Sequence, residues 1–121
     1  MLLFSVATQP QVTYLKATLD GGQQVPSNAS TATGIAILRY DMGTKLLELT
    51  GDYQSLSATI AAAHIHAPAA PGTNAPVLIT LTNTGGIDGK ISGSGTLTPA
   101  QESDLLAGNM YVNVHNATFP G

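Results

Sequence analysis

Apolar and polar residues alternate with a period of two along most of this chain, and that alternation confines it to β-structure. Leu15, Ala17 and Leu19 alternate with Tyr14, Lys16 and Thr18; Ile35 and Ile37 alternate with Ala36 and Leu38; Leu47 and Leu49 alternate with Leu46, Glu48 and Thr50. Successive side chains of an extended backbone point to opposite faces, so each run reads as a strand. Further strands are expected over Thr59 to His66, Val77 to Thr82, Ile91 to Leu97 and Met110 to Asn116. Turn signals separate them: Asp20-Gly21-Gly22, Asp41-Met42-Gly43, Gly85-Gly86 and Asp88-Gly89. In the second of these, Gly43 is expected to take the positive φ of a short hairpin loop. Short strands at this spacing predict an all-β fold, an antiparallel Greek-key β-sandwich of about seven to eight strands.

One segment departs from the pattern. Thr98-Pro99-Ala100-Gln101 combines an N-cap Thr, Pro at the first helical position and Gln three residues after the cap, and Gly108 follows Leu105, Leu106 and Ala107. These are the start and stop signals of one short helix near residues 98–107. Leu105 and Leu106 are expected to anchor it. With 121 residues in all, the chain fits one domain, residues 1–121, in which residues 1–10 form an N-terminal extension.

Two of the three histidines, His64 and His66, stand one residue apart in Ala61-Ala62-Ala63-His64-Ile65-His66-Ala67-Pro68. On a strand they share a face, with attachment points about 6.6 Å apart. From there two imidazoles can reach one metal ion at about 2.0–2.1 Å per bond. The third, His115, alternates onto one face with Tyr111 and Asn113, while Met110, Val112 and Val114 take the other. If the strands that carry these residues are neighbours, His64, His66 and His115 converge as a three-imidazole metal site suited to copper or zinc. The competing reading is that strand-end histidines brace the adjacent Pro-rich turns, with Asn113 as a structural amide and Tyr111 as a half-buried sheet aromatic.

Composition narrows the remaining possibilities. Charged residues are 9% of the chain, the net charge is −3, and the basic side chains Lys16, Arg39, Lys45 and Lys90 are scattered. Nucleic acid is therefore not expected as a partner. No apolar run approaches the roughly 20 residues of a spanning helix, so no membrane span is expected. The absence of cysteine excludes disulfides, iron–sulfur clusters and thiolate zinc sites. No Gly-x-Ser-x-Gly elbow is present, and the seven acids show no catalytic pairing in their spacing. Gly93 and Gly95 lie in an alternating strand without the Lys or helix of a phosphate loop, and are expected to let another group pack closely. Asn28-Ala-Ser and Asn116-Ala-Thr match the glycosylation acceptor pattern, and Met1-Leu-Leu-Phe-Ser-Val-Ala resembles at most the remnant of a signal peptide.

Several segments taken in order resemble the CHRD domain, first named from chordin. They are Leu19-Asp-Gly-Gly-Gln-Gln-Val-Pro, Ala32-Thr-Gly-Ile-Ala, Ala62-Ala-His-Ile-His-Ala-Pro-Ala, Leu97-Thr and Tyr111-Val-Asn-Val-His-Asn-Ala-Thr-Phe-Pro-Gly. The resemblance implies an extracellular module, secreted, periplasmic or at the cell surface. The chain departs from the family where Gln24 replaces an acid, where Ala67 replaces Gly, and where a further strand would follow Gly121. The family's acid and an Arg of that strand are expected to pair, and the sheet edge left open is expected to be covered by Leu2 to Val6, within the chain or by self-association. The His-x-His strand and the late Val-x-Val-His strand also resemble the copper-ligand arrangement of copper/zinc superoxide dismutases, whose bridging histidine and disulfide have no counterpart here. That analogy makes His64, His66 and His115 copper ligands, with zinc as the alternative. Three readings follow: a metal-binding module; a structural or interaction module of the cell surface or extracellular matrix, with self-assembly as one form of that interaction; and a dismutase-like redox enzyme.

Overall fold

The computed structural model describes residues 11–20, 32–68 and 75–116. Among them are seven strands and one helix: β1 (Val12–Asp20), β2 (Thr33–Asp41), β3 (Leu46–Gln54), β4 (Ile60–His66), β5 (Val77–Asn83), β6 (Gly89–Thr96), α1 (Pro99–Leu106) and β7 (Tyr111–Asn116). The strands lie in the order β1-β2-β3-β6-β5-β4-β7, each antiparallel to its neighbour. The fold is thus all-β with one short helix, as the alternation and the capping signals predict. Hydrogen bonding joins the seven strands into a single curled sheet, and a two-sheet Greek-key sandwich does not emerge from it. The sheet is narrowest at β5–β6, where only Thr82 with Ser92 and Asn83 with Ile91 are paired.

Burial assigns the faces that alternation left open. In β2 the buried side is Gly34, Ala36, Leu38 and Tyr40, while Ile35 and Ile37 remain exposed. The register explains this choice. Leu38 is opposite Leu49, and Tyr40 is opposite Leu47, so those pairs share the inner face. A slip of one residue would turn every one of them outward. Leu38, Tyr40, Leu47, Leu49, Tyr53, Ile65, Leu81, Ile91, Leu97 and Leu105 form the core inside the curl. At Gly93 an added Cβ would lie 2.6 Å from Leu81 Cδ2, and at Gly95 one would lie 2.8 Å from Ile79 Cδ1. The expected close approach is therefore made by aliphatic side chains of β5.

The turn after β2 corrects one expectation. Asp41 Oδ1 accepts from the Gly43 and Thr44 amides at 2.8 and 3.1 Å, and the positive φ falls on Lys45 at 64° instead of on Gly43. Those two bonds hold the first part of the loop to Asp41, and the positive φ comes at the residue just before β3. The same carboxylate is held below its ordinary pKa, chiefly by those two backbone amides.

Helix α1 begins as its sequence predicts. Gln101 N–H donates to Thr98 Oγ1 at 3.2 Å and Thr98 N–H donates to Gln101 Oε1 at 2.9 Å, the two halves of a capping box. Gly108, at φ +80°, ends it, with its amide donating to Leu105 O. Leu105 is buried and Leu106 is 51% exposed, so Leu105 alone anchors the helix to the core. Lys45 Nζ adds a 2.7 Å ion pair to Glu102 Oε2, tying α1 to the β2–β3 turn.

Because seven strands alternate in direction, the two edge strands β1 and β7 run the same way. The curl brings them near each other. Between them lies an apolar cleft of about 180 Å³ whose lining includes Leu15, Ala17, Leu38, Ile65, Met110 and Val112. The segment Leu2 to Val6, expected to cover an edge, lies outside the described residues, as do Gln24 and the end of the chain at Gly121.

Candidate metal centre

Strand β4 sits between β5 and β7, and its register with β7 places Ala62 opposite His115, His64 opposite Asn113 and His66 opposite Tyr111. Directly opposed residues of an antiparallel pair share a face. Ala63 and Ile65 face the core, so His64, His66, Tyr111, Asn113 and His115 gather on the other side of the sheet. The three histidines singled out in the sequence are thus brought together, with His115 diagonal to His64 across the ladder.

Their separations are those of a cluster. Ring centroids lie 5.0 Å apart for His64 and His115, 5.6 Å for His64 and His66, and 6.1 Å for His66 and His115. One ligating nitrogen from each can be chosen so that all lie within 4.8 Å of one another. His64 Nδ1 and His115 Nε2 are only 3.1 Å apart. A metal ion bonded to two imidazoles spans an edge of about 2.9 Å in square-planar and about 3.3 Å in tetrahedral geometry. The observed edge falls between these, so it suits copper(II) and zinc alike.

His66 is oriented by the backbone. Its Nδ1 lies 2.9 Å from Ala75 O, and since a carbonyl can only accept, Nδ1 carries the proton. That leaves the Nε2 lone pair as the available donor. Nε2 is buried and has no hydrogen-bond partner among the described residues, in a side chain only 8% exposed. A buried polar atom in that condition costs about 1–3 kcal/mol unless something binds it. Beside it, burial and then the neighbouring His66 ring hold the His64 pKa below its ordinary value, which keeps the ring neutral and able to ligate.

Two contributors were not visible as such in the sequence. Tyr111 stacks on His66 with centroids 4.8 Å apart and planes 7° from parallel, and its hydroxyl accepts from the Ala75 amide at 3.0 Å. The alternation places Tyr111 on the His115 face, but only the strand pairing sets it against His66. Ala75 takes part through its backbone alone, which no side-chain pattern can reveal. Asn113 is 5% exposed, on the same face as the cluster and opposite His64. At the Asn116 acceptor pattern the Asn116 side chain is buried and donates to Ser57 Oγ and Ala58 O at 3.4 Å; Asn28 lies outside the described residues.

No curated protein and no solved structure gives a match to this chain. A family model described as the CHRD domain matches residues 15–121, a span that takes in every described strand but the first few residues of β1 and carries all three histidines. The chain therefore belongs to the CHRD domain family.

Proposed function

We propose that this domain is a transition-metal-binding module that holds copper, with zinc as the alternative, through His64, His66 and His115. The buried Nε2 of His66, unpartnered among the described residues and beside two further imidazoles, is the observation that carries this reading. Three neutral imidazoles leave further coordination positions for water or a small ligand. CHRD domains occur in extracellular proteins, and no described helix is long and apolar enough to cross a membrane. The proposed setting is accordingly secreted, periplasmic or at the cell surface, with residues 1–121 acting as one unit.

The test is titration of metal-stripped protein with copper(II) and zinc(II), followed by calorimetry, with His64→Ala and His115→Ala in parallel. One equivalent bound by the parent chain and lost in both variants is the expected result. Absent binding, or binding indifferent to both substitutions, refutes the reading. Superoxide consumption by the copper-loaded protein that disappears in His115→Ala would extend it to a redox enzyme.

A second reading is favoured by a separate observation, the apolar cleft between the parallel edge strands β1 and β7. Edge strands beside an apolar cleft suit strand addition, and so a structural module that self-associates. Light scattering on the full chain and on a chain lacking residues 1–10 tests it. An oligomer that depends on those residues supports it, and a monomer in both refutes it.

A further inference from the structure

His66, Ala75 and Tyr111 form a closed ring of contacts. His66 Nδ1–H donates to Ala75 O at 2.9 Å, Ala75 N–H donates to Tyr111 Oη at 3.0 Å, and the Tyr111 ring lies flat on the His66 ring at 4.8 Å. Both polar backbone groups of Ala75 are thereby engaged by side chains of two adjacent strands. Ala75 precedes β5, and the Ala67 amide, just after β4, donates to Pro76 O at 3.2 Å, so the chain entering β5 is tied to the chain leaving β4.

Each contact removes a freedom that a metal-binding imidazole must not have. Stacking restricts rotation of the His66 ring about χ2. The Ala75 carbonyl selects the tautomer with the proton on Nδ1, and the Tyr111 hydroxyl holds that carbonyl in place by gripping the amide of the same residue. The outcome is a ring of fixed tautomer whose buried Nε2 keeps its lone pair available beside the His64 and His115 rings before any ion arrives. Partners that fix a ligating histidine through its second nitrogen set both its tautomer and its basicity.

We propose that Tyr111 is the positioning residue of the three-histidine centre, acting through Ala75 to hold His66 in the Nδ1–H tautomer with the Nε2 lone pair available to the ion. This rests on the metal-binding reading for its purpose, while the tautomer itself is a property of the metal-free protein. Tyr111 does not ligate in this arrangement. Its hydroxyl is committed to the Ala75 amide, and its role is to reduce the reorganisation required on binding.

The experiment is Tyr111→Phe, which keeps the stacked ring and removes only the hydroxyl. Imidazole nitrogen NMR on metal-free protein reads the His66 tautomer, and calorimetric titration with zinc(II) reads affinity. The parent chain is expected to show His66 as Nδ1–H alone, and the variant a mixture of both tautomers with zinc affinity reduced about 10- to 100-fold at unchanged stoichiometry. A variant in which His66 stays wholly Nδ1–H and zinc affinity is unchanged overturns the proposal, even if its melting temperature falls, because that is the signature of a purely structural tyrosine. Should Tyr111→Phe fail to fold, the parent spectrum still decides: His66 found as Nε2–H overturns it. A parent chain that binds no zinc or copper refutes the metal reading, while the tautomer comparison continues to judge Tyr111.

Discussion

His64 Nδ1 and His115 Nε2 approach to 3.1 Å across the β4–β7 ladder, although 51 positions separate them in the chain. Two neutral imidazoles at this distance either share one proton or turn both lone pairs to one cation. Proton and metal ion therefore compete for the same atoms.

The pH dependence of stability follows from His64. Its folded-state pKa lies below the ordinary histidine value because the ring is partly buried and sits beside His66. Below about pH 6.5 the unfolded chain takes up a proton at this position before the native one does. Stability is thus full above that pH and declines as pH falls toward the lowered native value. Metal-free protein is expected to lose melting temperature between pH 7 and pH 5, and His64→Gln to lose less. Identical profiles for the two proteins would contradict this.

Metal binding restricted to the native state adds stability by mass action. With free zinc at 100 times its dissociation constant the gain is about 2.7 kcal/mol. Denaturant unfolding with and without zinc measures it. His115→Ala is expected to abolish the increment, and an equal increment in that variant would locate the ion elsewhere.

Gly93 makes room for Leu81. A Cβ at position 93 would lie 2.6 Å from Leu81 Cδ2, and Leu81 is 4% exposed, with core on its other side. Gly93→Ala is expected to cost about 1–3 kcal/mol by overpacking. The shorter side chain of Leu81→Val relieves that contact, so the double variant should be less destabilised than the sum of the two single ones. Strict additivity in urea unfolding would show that Leu81 moves aside freely.

Helix α1 depends on its first residue. Thr98→Ala removes the hydroxyl that accepts from Gln101 N–H and is expected to cost about 1 kcal/mol. Thermal unfolding checks this, and an unchanged melting temperature would show that the Gln101 half of the capping box suffices.

The ion pairs differ in their surroundings. Glu102 has a side chain only 15% exposed where it meets Lys45, whereas Lys90 and Asp52 are 75% and 68% exposed. Removing Lys45 leaves a largely buried carboxylate without its partner, while removing Lys90 changes a solvated pair. Lys45→Met is expected to lower the melting temperature clearly and Lys90→Met hardly at all. The reverse order would mean that the α1 contact carries little of the stability.

Much of the architecture was legible because it is written locally. Alternation in Leu47-Glu48-Leu49-Thr50, the Gly85-Gly86 turn and the Thr98-Pro99-Ala100-Gln101 cap each specify backbone geometry through neighbours only a few positions away. Where two local solutions were equivalent the sequence was silent. Ile35 and Ile37 are as apolar as Ala36 and Leu38, and only pairing with Leu47 and Leu49 turned the second set inward. Gly43 looked like the residue of positive φ until the Asp41 carboxylate moved that role to Lys45.

The candidate site divides in the same way. By itself the sequence determined that His64 and His66 share a face and that His115 lies with Tyr111 and Asn113, because the two-residue period of a strand is a property of covalent geometry. Only the tertiary structure decided that β7 lies beside β4 in the register that brings the three rings together and seats Tyr111 on His66. Strand pairing over such a separation is selected by which arrangement buries the inner faces of all seven strands at once, while the entropy of closing the loop depends only weakly on its length. A choice made by the whole core is recorded in no single segment of the chain.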